Sequence, residues 1–63
     1  MPKTNVKVVL VGTDGNAFAI LGMVKRALVQ AGFKELADQY MKEAQSGDYD
    51  NLLRVTMEYV EVE

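Results

Sequence analysis

The sequence predicts a small α+β domain of β-α-α-α-β order, its two terminal strands paired and packed against three helices. Three observations predict it. A β-branched run over residues 5–11, Asn-Val-Lys-Val-Val-Leu-Val, stops at Gly12. Three stretches then place apolar residues at helical spacing, separated by Gly32 and Gly47. Finally Tyr59-Val60-Glu61-Val62-Glu63 alternates with period two.

In the first strand, 5–11, Val6, Val8 and Leu10 share one side and Lys7, Val9 and Val11 the other. Both sides are mostly apolar, so both are expected to be covered, at least near the C-terminal end. The first helix, 16–31, carries Ala17, Ile20, Leu21, Val24, Ala27, Leu28 and Ala31 on one stripe. Asn16 or Asp14 can accept a backbone N–H at its start, and Gly32 suits the left-handed residue at its end. The second helix, 33–45, places Phe33, Leu36, Ala37, Tyr40, Met41 and Ala44 at the same spacing. Lys34, Glu35, Asp38, Lys42 and Glu43 take its opposite face. The third, 48–57, opens on Asp48 as N-cap and shows Tyr49, Leu52, Leu53 and Met57 as its stripe. The last strand, 59–63, closes the order.

The 63 residues make one domain, 1–63. A chain this short buries only about 60% of the surface its unfolded form exposes, so its core is marginal. A two-stranded sheet is barely stable alone and exposes unpaired edges. Both facts point to a homodimer; the alternative is that the three helices make a sufficient core and the strands only tie down the ends. No cysteine is present, which excludes disulfides and thiolate chemistry and fits a cytoplasmic setting. No histidine is present, which removes the commonest general base and metal ligand. The first residues, Met1-Pro2-Lys3-Thr4-Asn5, lack the apolar core of a secretory signal. No apolar run approaches the roughly 18–20 residues of a membrane span. The net charge of −2 offers no basic footprint for nucleic acid. Charge is nevertheless asymmetric. Lys3, Lys7, Lys25 and Arg26 face Asp14 alone in the first half, and the other eight acids fall in the second. Such asymmetry favours contact between the halves, within one chain or between two.

The candidate sites are few. Gly12, Thr13, Gly15 and Asn16 lie between a strand and a helix, where backbone N–H groups can hold a phosphate. No G-x-G-x-x-G or P-loop is completed, and Asp14 repels an anion, so a turn and helix cap is the simpler reading. The loop 45–51 is oxygen-rich, but its spacing departs from an EF-hand and it reads as one helix end followed by the next helix start. Ser46 and Tyr49 of this loop become walls of a ligand site if the two loops meet. Ser46, the only serine, has no histidine to activate it, so no catalytic residue, metal or cofactor is assigned. The first helix is apolar beyond its main stripe: Phe18, Gly22 and Val29 lie on one flank and Met23 on the other. Either one flank covers the sheet while the stripe meets the other two helices, or these four form a subunit interface centred on Gly22, where a missing side chain permits close helix approach. Glu58, Glu61 and Glu63 suit a solvated strand face that guards an edge.

The segments "DGNAF" (14–18), "SGDYDNLL" (46–53) and "YVEVE" (59–63) resemble a group of short, functionally uncharacterised bacterial and phage proteins. The resemblance implies a microbial or phage setting and transfers no functional residue. The expectation is a non-enzymatic interaction protein that self-associates through helix 1 and a strand edge. The alternative is a small-ligand binder that sequesters a phosphorylated or nucleotide-like molecule at the N-terminus of helix 1.

Overall fold

In the computed structural model, which describes residues 2–10 and 16–63, the elements are β1 (Lys7–Val8), α1 (Ala17–Gln30), α2 (Lys34–Ala44), α3 (Tyr49–Tyr59) and β2 (Glu61–Val62). This is the expected α+β order. β1 and β2 run parallel, with Lys7 opposite Glu61 and Val8 opposite Val62. The ladder reaches beyond them: Glu61 N–H donates to the Val6 carbonyl (2.8 Å), Glu63 N–H to that of Val8 (2.9 Å), and Leu10 N–H to that of Glu63 (3.1 Å). Both strands are shorter than the sequence suggests, and the third helix is longer.

The reason lies in α3. Its buried residues are Leu52, Val55, Thr56 and Tyr59, an i, i+3, i+4, i+7 set. Tyr59 completes that stripe and therefore belongs to the helix, so pairing with β1 starts only at Glu61. The expected stripe was rotated from the real one: Met57 and Tyr49 are exposed and Leu53 is half-buried. Thr56, polar by composition, hides the true periodicity. The sheet differs too. Val8 is buried and Val6 and Leu10 pack against the core, but Val9 is 55% exposed and Lys7 is exposed. One face of the sheet is covered by helices; the other carries Lys7 and Val9 into solvent, with Lys7 Nζ 3.8 Å from Glu63.

The helix ends follow their capping residues. Asn16 Oδ1 accepts the Phe18 N–H (2.8 Å) and starts α1. At its far end, Gly32 N–H donates to Val29 O (3.0 Å) and Phe33 N–H to Leu28 O (2.8 Å), the two bonds of a Schellman motif. Gly32 holds φ +91°, which only glycine adopts without strain. α2 ends where the Glu43 carbonyl accepts from Ser46 N–H, Ser46 Oγ and Asn51 Nδ2. Asp48 Oδ1 then accepts Asn51 N–H (2.9 Å) to start α3. A Cβ on Gly47 would stand 2.9 Å from the Asn51 Cβ, so this corner closes only around a glycine.

Val24, Leu28, Ala37, Tyr40 and Tyr59 form the fully buried centre. Polar groups inside it are paired. Thr56 Oγ1 donates to the Leu52 carbonyl (2.8 Å), so its remaining role toward Tyr40, 2.7 Å away, is acceptor, and the Tyr40 hydroxyl is the donor. The Tyr40 and Tyr59 rings meet edge to face at 5.5 Å, and the Tyr59 hydroxyl donates to the Glu43 carboxylate. Burial pushes the Tyr59 hydroxyl up to about 12, helped by that bond and by the charges of Glu43 and Glu58. Burial also raises Tyr40, partly offset by its bond to Thr56. The N-terminal segment closes over α3. Lys3 and Thr4 N–H groups donate to the Glu58 and Tyr59 carbonyls, Thr4 Oγ1 donates to Tyr59 O (2.7 Å), and Lys3 Nζ lies 4.5 Å above the Tyr59 ring.

Candidate interaction surface

α1 points Ile20, Leu21, Val24 and Leu28 into the core. At about 100° per residue, Gly22 falls opposite that stripe, with Phe18, Arg26 and Val29 close to the same line. Phe18 is 81% exposed and Val29 is exposed. Gly22 is open: a Cβ there would meet nothing within 4 Å. Met23 is drawn inward and packs against the core cluster, so it forms a margin of this face rather than its centre. Three of the four candidate interface residues thus share an outward face, and Met23 borders it. Phe18, Ala19, Gly22, Met23 and Arg26 line a groove there.

Phe18 also borders a second cleft, of about 290 Å³, between the start of α1 and the α2–α3 corner. Leu21, Ala44 and Leu52 are its buried residues, with Tyr49 and Asp48 more exposed. The sequence left open whether the start of helix 1 and the 45–51 loop meet; Ala17 and Phe18 do meet Gly47, Asp48 and Tyr49 at this cleft.

The candidate ligand residues are divided. Gly12, Thr13 and Gly15 lie outside the described residues. Asn16 uses its side-chain oxygen to cap α1, and Ser46 bonds the Glu43 carbonyl away from the cleft lining. Tyr49 lines the cleft, beside the acidic Asp48. Among the described residues no group of three or more His, Cys, Asp or Glu could hold a metal ion, and no helix is long and apolar enough to cross a membrane. The cation–π contact of Lys3 has no local sequence signal, and that of the Thr4 closure is only a hydroxyl residue close before a strand.

No family model, curated protein or solved structure matches this chain.

Proposed function

We propose that this protein is a small non-enzymatic interaction module that binds a second copy of itself through the outer face of α1. Phe18 carries the reading. A side chain this apolar, 81% exposed on a helix whose other large apolar residues are mostly buried, gains from a partner that covers it. The marginal core of a 63-residue chain gives the same direction. The absence of histidine and cysteine supports the non-enzymatic part. The outer edge of β1 is a second contact of the same proposal. In the ladder Val6, Val8 and Leu10 face β2, so the backbone groups of Lys7 and Val9 alternate outward.

Sedimentation velocity and native mass measurement up to millimolar concentration test the reading. A dimer that weakens in Gly22→Leu, with unchanged circular dichroism, supports the α1 face. Loss on Val9→Pro instead moves the contact to the strand edge. A monomer throughout refutes self-association.

The cleft between Phe18 and Tyr49 favours a second reading, small-ligand binding. Its volume is close to the lower end of ligand pockets, roughly 300 Å³. The apolar floor and Asp48 suit an aromatic or cationic molecule better than a phosphorylated one. Titration with a nucleotide and amine panel, read at the Phe18 and Tyr49 amides, separates these ligands; unchanged spectra across the panel count against the cleft.

A further inference from the structure

The self-association proposed above leaves the mode of pairing open, and the chemistry of the α1 face specifies one. Phe18, Gly22 and Arg26 are successive residues of one i, i+4, i+8 ridge. Four residues rise about 6 Å, so Phe18 and Arg26 stand about 12 Å apart along the axis, one on each side of Gly22. Within one helix they are too far apart to meet. Arg26 is exposed and makes no ion pair with any described residue.

Gly22 supplies the second observation. Glycine inside a helix costs about 0.8–1 kcal/mol relative to alanine. Nothing in the subunit requires it, because an added Cβ meets nothing within 4 Å and φ is not positive. A missing side chain at the middle of an outward ridge instead permits close approach of another helix.

We infer that two copies pair through antiparallel α1 helices related by a two-fold axis at Gly22, with Phe18 of each copy stacked on the Arg26 guanidinium of the other. When two i±4 ridges meet at the commonest crossing, about −50°, they run parallel to each other. A two-fold through Gly22 then superposes the Phe18 end of one ridge on the Arg26 end of the other, and it does so twice. The aromatic face and the cation are complementary only across copies. Lys25 beside Arg26 raises the positive potential that the ring meets. Val29, near the same line, extends the apolar contact.

The test is isotope-filtered NMR on a mixture of labelled and unlabelled full-length protein, with sedimentation on the same sample. The inference expects a dimer with intermolecular contacts from the Phe18 ring to the Arg26 methylenes and from Gly22 to Gly22. Arg26→Ala, which removes both stacked contacts, is expected to raise the dimer dissociation constant roughly 5- to 30-fold. Its circular dichroism should be unchanged, because the side chain is exposed. A dimer without these contacts, or with Phe18–Phe18 contacts in their place, overturns this pairing and leaves self-association standing. A monomer overturns both.

Discussion

Replacing Thr56 with valine removes one hydroxyl from the centre of the protein and leaves the Tyr40 hydroxyl there without an acceptor. Tyr40 and Thr56 are both fully buried, and among the described residues Thr56 Oγ1, at 2.7 Å, is the only partner of the phenol. Leaving a buried donor unpaired costs about 1–3 kcal/mol. Tyr40→Phe is milder, about 0.5–1.5 kcal/mol, because Thr56 keeps its bond to the Leu52 carbonyl. The double variant removes donor and acceptor together, so it should be no worse than Thr56→Val alone. The cycle should therefore show a coupling of about 1 kcal/mol. These are large terms for a chain whose total stability, at about 0.05–0.15 kcal/mol per residue, is of the order of 3–9 kcal/mol. A loss of about 2 kcal/mol in Thr56→Val corresponds to a fall in Tm of about 8–16 °C. Urea and thermal unfolding of the four proteins, followed by circular dichroism, measure the cycle. Additive losses in the double variant, or a Thr56→Val protein as stable as the parent, would refute the hydrogen-bond assignment.

Further outcomes follow from other positions. Gly32→Ala, at φ +91°, should lose about 1–2 kcal/mol, whereas Gly22→Ala in α1 should stabilise the subunit by up to about 1 kcal/mol; thermal unfolding at concentrations where the protein is monomeric reads both. Tyr59 has a folded-state value raised from the ordinary 10.0 to about 12, so its contribution is complete below pH 10 and disappears as pH rises from about 10 to 12. Stability measured against alkaline pH should fall in that window, and less steeply in Tyr59→Phe. Thr4→Val removes the donor to the Tyr59 carbonyl and the acceptor for Val6 N–H. It should cost about 1–2 kcal/mol and speed hydrogen exchange at Glu61, whose N–H bonds the adjacent Val6 carbonyl.

Local signals in this chain are strong, and so the element order was legible. Asn16, Gly32, Gly47 and Asp48 each mark a helix end by a mechanism that acts within a few residues. The α3–β2 boundary was not legible, because Tyr59 satisfies both the alternation of 59–63 and the helical spacing from Leu52. Distant partners decide between them: the Tyr40 and Glu43 side chains of a different helix, and the segment at Lys3 and Thr4. The same limit applies to the contacts of Thr4 and Lys3 with Tyr59, more than fifty residues away. At the candidate surface, Phe18, Gly22 and Val29 were legible as residues outside the helical stripe. The inward turn of Met23 depended on the local packing of a flexible side chain, and the apposition of Phe18 and Tyr49 on where the α2–α3 corner comes to rest.

The parallel ladder also sets an order of events in the growing chain. Thr4 closes on Tyr59, Val6 on Glu61 and Leu10 on Glu63, so residues 4–10 wait for partners made more than fifty residues later. The α1–α2 and α2–α3 corners need only neighbouring residues and can form while the rest is still being added. Loop closure over so many residues is slow compared with these local steps. Until it happens, Val6, Val8, Val9 and Leu10 are an apolar β-prone stretch with no strand to pair with, and this interval is when the protein is most exposed to mispairing.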